Sequence, residues 1–135
     1  MGSFAILGPG GVGGFLAAAL ARAGHPVTVV ARESTAEHIA NYGIEVQSRR
    51  LGDFTARPEA GAELVEDVDT LFVATKANGL AAGLERIQSR AELVVPLLNG
   101  LDHIETLRAR FGPERENGRE IKIVAAFRRA GWRAS

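Results

Sequence analysis

The sequence predicts an α/β fold, an open and mostly parallel sheet with helices on both faces. Three observations carry this expectation. Residues 4–31 read as strand, tight turn, helix and strand, which is a βαβ unit of ordinary length. Two further apolar runs, residues 70–75 and 93–98, are each followed by a segment with helical spacing. The runs are continuous rather than alternating, as expected of strands buried on both faces.

Each element has a local reason. Phe4-Ala5-Ile6-Leu7 is the first strand, and glycines follow it at once. Val12, Phe15, Leu16, Ala19, Leu20 and Ala23 recur at helical spacing in an alanine-rich stretch. Gly24 and Pro26 end that helix, and residues 27–31 form the second strand. A short helix is expected over residues 35–42, with Ser34 as its N-cap. Residues 44–47 and 53–56 suggest a hairpin-like excursion around Gly52. Helices are expected at 80–87 and 104–111, the latter closed by Gly112-Pro113. Pro96 inside the run 93–98 argues for an early position, a bulge or an edge. Beyond Pro113 the chain is charged, with Asn117-Gly118 as a turn signal. Residues 121–132 fit a helix, and their start also fits a strand, because Ile121, Ile123 and Ala125 alternate.

Composition narrows the function classes. The 135 residues suit one domain, and 46% apolar with 24% charged residues suits a soluble protein. Sixteen basic residues balance sixteen acidic ones, so no basic field invites nucleic acid. Cysteine is absent, which removes disulfides, thiolate metal sites and cysteine nucleophiles. No metal-ligand spacing and no nucleophile elbow is present. No apolar stretch suits a leader or a membrane span, and a cytoplasmic location is expected. His25, His38 and His103 have no partner pattern.

The chemistry lies in the first turn. Gly8-Pro9-Gly10-Gly11-Val12-Gly13 fits G-x-G-x-x-G between a buried strand and an amphipathic helix, the context that a dinucleotide fingerprint requires. Gly8 permits the turn, Gly10 lets a pyrophosphate approach the backbone, and Gly13 lets helix and strand pack closely. The phosphates then meet the positive end of the helix. The predicted fold is therefore Rossmann-type. Dinucleotide domains specific for NAD place Asp or Glu at the end of the second strand, whereas this chain has Ala31-Arg32. Arginine can pair with a 2′-phosphate, so the expected cofactor is NADP(H), with Glu33 as a competing feature that could turn toward a ribose. Lys76 and Asn99 follow two later strands, and so belong on the ligand-binding edge with the glycine turn and Arg32.

These residues also resemble a known family, the ketopantoate reductases (2-dehydropantoate 2-reductases). The likeness lies in Gly8 to Gly13, Leu20-Ala21-Arg22-Ala23-Gly24-His25, residues 27–32, Ala74-Thr75-Lys76-Ala77, Leu98-Asn99-Gly100-Leu101 and Phe111-Gly112-Pro113-Glu114-Arg115. The resemblance implies an NADPH-dependent reduction of a 2-oxo acid, 2-dehydropantoate to pantoate, on the way to pantothenate. It implies that residues 8–13 hold the pyrophosphate and Arg32 the 2′-phosphate. Lys76 and Asn99 would lie near nicotinamide and substrate. The family has a second, helical domain that carries a catalytic lysine, and that lysine is expected to be absent here. The chain has only two lysines, and Lys122 precedes Trp132, whereas the family's lysine follows the corresponding region. Residues 1–115 are accordingly expected to be the dinucleotide-binding domain. Residues 116–135 would be a tail, a remnant of the helical domain after a deletion or truncation. Self-association, or association with a missing partner domain, is expected from an uncovered strand at 93–98. Two other readings are a stand-alone NADP-binding module without catalysis and the cofactor domain of another hydroxyacid dehydrogenase.

Overall fold

The computed structural model describes residues 2–75, 79–97, 106, 107, 109, 110, 115, 116, 119, 120, 122 and 123. Its centre is β1 (Phe4–Leu7), α1 (Gly11–Arg22) and β2 (Val27–Val30), followed by α2 (Glu33–Tyr42). A hairpin of β3 (Ile44–Ser48) and β4 (Gly52–Ala56) comes next, then β5 (Glu59–Gly61). The second half contains β6 (Val68–Val73), α3 (Leu80–Leu84) and β7 (Ala91–Pro96). It closes with the short strands β8 (Arg115–Glu116), β9 (Arg119–Glu120) and β10 (Lys122–Ile123).

Six strands form one sheet in the order β10-β7-β6-β1-β2-β5, and every pairing in it is parallel. Taken in sequence along the sheet, this is the 3-2-1-4-5-6 order of a Rossmann fold. The chain runs outward from β1 through β2 to β5, then returns to the other side of β1 as β6. The point where the order reverses therefore lies between β1 and β6.

Alternation explains why β1 is apolar throughout. Ala5 and Leu7 join a buried cluster with Leu71, Val73, Leu80, Leu84 and Val94. Ile6 joins the opposite cluster with Ala17, Val29 and Ile39. Each face of the sheet thus carries its own core, and β1, at the centre, meets an apolar layer on both sides. The β3–β4 hairpin packs outside α1 through Val46, Ala56 and Ala18, with the Arg22 guanidinium 4.4 Å from the Phe54 ring centre. Gly24 ends α1 at a φ of 92°, a left-handed conformation that suits glycine.

Several boundaries differ from expectation. α2 starts at Glu33 with Arg32, not Ser34, at the N-cap, and no side chain caps it. Glu33 supplies a favourable negative charge in the first turn instead. Pro96 is the last residue of β7, which is an interior strand, and Leu97 N–H donates to the Val73 carbonyl just beyond it, at 2.8 Å. The missing proline N–H therefore falls where the strand is ending. β7 is not left uncovered: β10 pairs with it at Leu93 and Val94. The start of the segment 121–132 is thus strand at Lys122–Ile123, and its remainder lies outside the described residues. β8 and β9 pair antiparallel on either side of Asn117-Gly118 in the sequence. Among the described residues, no helix is long and apolar enough to cross a membrane.

Candidate dinucleotide site

The carboxyl ends of β1, β2 and β6 open onto a cleft of about 460 Å³. That is within the range of small-molecule and cofactor sites. It lies at the reversal of strand order, where ligands bind in open α/β sheets.

The glycine turn forms one wall. Gly8 has a φ of 88°, and a Cβ there would stand 2.9 Å from Thr75 Cγ2 and 3.0 Å from its backbone nitrogen. A side chain is therefore excluded twice, by conformation and by the end of β6. At Gly13 a Cβ would run into the Gly8 carbonyl oxygen and come within 2.7 Å of Ala74 Cβ. Gly10 behaves differently: nothing lies within 4 Å of a Cβ placed there. Its lack of a side chain keeps space open in front of α1 and answers no packing demand. Gly10 is also the N-cap of α1, and no side chain caps that end. The first N–H groups of a twelve-residue helix thus face a cradle into which a phosphate can fit.

Two further residues mark the cleft as polar where a ligand would sit. Thr75 Oγ1 is buried without a hydrogen-bond partner, although it lines the cleft. Buried hydroxyls ordinarily have a partner, which at this position a protein group does not supply and a bound ligand or water can. Arg32 also lines the cleft and is exposed. Its position as N-cap of α2 involves only its backbone, so the guanidinium is not occupied in capping. Glu33, the competing carboxylate, is exposed and is not among the lining residues, whereas Thr35 is. Among the described residues the lining includes two arginines, Arg32 and Arg86, and no carboxylate. Arg86 sits half-buried beyond the end of α3, and its Nη1 donates to the Ala62 carbonyl at 3.2 Å.

The sequence-derived residues Gly8, Pro9, Gly10 and Arg32 are brought together in this cleft. Gly13 supports it from behind, through its approach to Gly8. Gly11 and Val12 begin α1. Lys76 and Asn99 lie outside the described residues; Thr75, which precedes Lys76, is at the cleft. Sequence reasoning did not single out Thr75 or Arg86. Thr75 stood inside the motif Ala74-Thr75-Lys76 and was legible there. Arg86 had no local signal, because its partner is a carbonyl 24 positions away in sequence. His25, also read as unremarkable, packs edge-on against Phe4 at 5.4 Å, and its Nδ1 is buried without a partner.

A glycine-walled cleft at the reversal point of a 3-2-1-4-5-6 sheet defines a dinucleotide-binding domain of the Rossmann class. The family model described as "Ketopantoate reductase PanE/ApbA" matches residues 4–131, and the chain belongs to that family. It is 30% identical over 132 residues to the uncharacterized oxidoreductase YkpB of Bacillus subtilis (strain 168), covering 95% of this chain and 43% of that protein. The crystal structure of 2-dehydropantoate 2-reductase from Methylococcus capsulatus superposes with a TM-score of 0.71 at 27% identity, over 93% of this chain and 40% of that one. The probable 2-dehydropantoate 2-reductase of Bacillus subtilis gives a TM-score of 0.70 at 27% identity, with the same coverage of 93% and 40%. The chain thus spans less than half the length of each of these relatives.

Proposed function

We propose that this chain binds NADPH as the cofactor domain of a reductase acting on a 2-oxo acid, with 2-dehydropantoate as the substrate its family points to. The observation that carries the cofactor choice is the lining of the cleft, which has arginine at the end of β2 and, among the described residues, no carboxylate. A carboxylate would hold a free ribose 2′-hydroxyl and repel a 2′-phosphate, and arginine does the reverse.

In this reading residues 8–13 and the first turn of α1 hold the pyrophosphate, and Arg32 grips the 2′-phosphate. The Thr75 hydroxyl donates to or accepts from the bound cofactor, which satisfies a group otherwise buried without a partner. The family resemblance assigns Lys76 and Asn99 to nicotinamide and substrate, where the ammonium would attract the substrate carboxylate and the amide would orient its polar groups. The nicotinamide, when bound, supplies a hydride to the ketone carbon. The product would be a 2-hydroxy acid, pantoate for the family's namesake substrate, on the way to pantothenate.

The direct test is calorimetric titration of the 135-residue chain with NADPH and with NADH. Tighter binding of NADPH is expected. Equal affinities, or a preference for NADH, would overturn the assignment.

A further inference from the structure

We infer that Arg86 is a second specificity determinant of this cleft, pairing with the adenosine 2′-phosphate alongside Arg32. The inference rests on the NADP reading above and names a residue that neither the glycine turn nor the end of β2 predicts. Gly79, Ala82, Gly83 and Arg86 all line the cleft, at a spacing that keeps one side of α3 and its extension toward it. The first three are small, so this wall leaves room until it reaches Arg86.

Hydrogen bonds fix where the guanidinium stands. Arg86 Nη1 donates to the carbonyl of Ala62. Ala62 follows Gly61, the last residue of β5, which is in register with Val30. The Gly61 carbonyl in turn accepts the N–H of Ala31 at 3.0 Å, one residue ahead of Arg32. The side chain therefore reaches from beyond α3 to the carboxyl ends of β2 and β5, on the side of the cleft where Arg32 stands.

Among the described residues that line the cleft, no carboxylate balances its charge. Among the described residues, the polar partner of the Arg86 side chain is that one carbonyl. A guanidinium carries five N–H donors in a rigid fork, so most remain available. A half-buried cation loses part of its hydration, and an anion beside it restores the lost interaction. A phosphate between two guanidinium groups meets that need, and forked donors match its oxygens.

The test uses two fragments of the cofactor, adenosine 2′,5′-bisphosphate and adenosine 5′-monophosphate. Each is titrated against the chain and against Arg86→Gln and Arg86→Lys. Glutamine can still donate to the Ala62 carbonyl, which keeps that tether while removing the charge. Lysine keeps the charge without the fork. Arg86→Gln is expected to weaken the bisphosphate about tenfold and leave the monophosphate unchanged. Arg86→Lys should recover part of the loss. Equal weakening of both fragments, or of neither, in variants with unaltered thermal unfolding would make Arg86 a structural tether and overturn this inference alone. An unmutated chain that does not distinguish the fragments would overturn the NADP reading, and this inference with it.

Discussion

Gly13 sits so close to Gly8 that a methyl group on its α-carbon would overlap the Gly8 carbonyl oxygen. Gly10, three residues earlier, has open space where its side chain would be. The two glycines of one motif thus answer different demands, and substitution separates them. Gly13→Ala should destabilise the fold by roughly 1–3 kcal/mol, because the helix must shift away from the turn. Gly10→Ala should leave thermal unfolding almost unchanged and weaken dinucleotide binding. Thermal melts with and without NADPH read both effects, and the assignment of roles is lost if Gly10→Ala is the less stable variant.

Arg32 is exposed and its side chain caps nothing, so its removal should not affect stability. Arg32→Ala is expected to weaken NADPH by about 1.5–3 kcal/mol, the range of a charge-assisted contact. NADH should bind as before. Fluorescence titration of both cofactors checks this, and a parallel loss for NADH would mean that Arg32 holds some other part of the dinucleotide.

Thr75 carries a hydroxyl that is buried and unpartnered. Thr75→Val replaces it with a methyl group. The free protein should become no less stable, and could gain about 1 kcal/mol, because an unsatisfied buried group is removed. Cofactor binding should weaken. Chemical denaturation and calorimetric titration would test the pair of effects, and unchanged NADPH affinity would place the hydroxyl outside the ligand's reach.

Assayed by itself, the 135-residue chain is expected to bind NADPH without steady reduction of 2-dehydropantoate. A ketone accepting a hydride needs a positioned acid, and such groups contribute roughly 10²–10⁴-fold. The family resemblance assigns that role to a lysine of a helical domain, and the sequence has only Lys76 and Lys122. Absorbance-monitored NADPH oxidation decides the matter. Turnover at an ordinary enzymatic rate would show that one of these two lysines, or another group, serves as the acid.

Much of the fold was legible because both of its signals are local. Continuous apolar runs mark strands covered on two faces, and helical spacing marks the layers that cover them. The glycine turn, the helix stop at Gly24 and the hairpin around Gly52 were readable for the same reason. β5 was not, because Glu59, Ala60 and Gly61 form no apolar run. It is a strand because β2 offers it a parallel edge.

For the site, the sequence by itself determined the cradle and its likeness to a dinucleotide motif. Arginine in place of a carboxylate after β2 was likewise readable from two adjacent positions. Tertiary structure alone decided that Arg32 caps α2 only through its backbone, that Glu33 stands outside the cleft lining, and that Arg86 reaches the carboxyl end of β5. The physical reason is range. Periodicity records which face of an element is buried, over a few residues. The meeting of Arg86 with Ala62 follows from strand order, which brings distant segments together across the edge of one sheet.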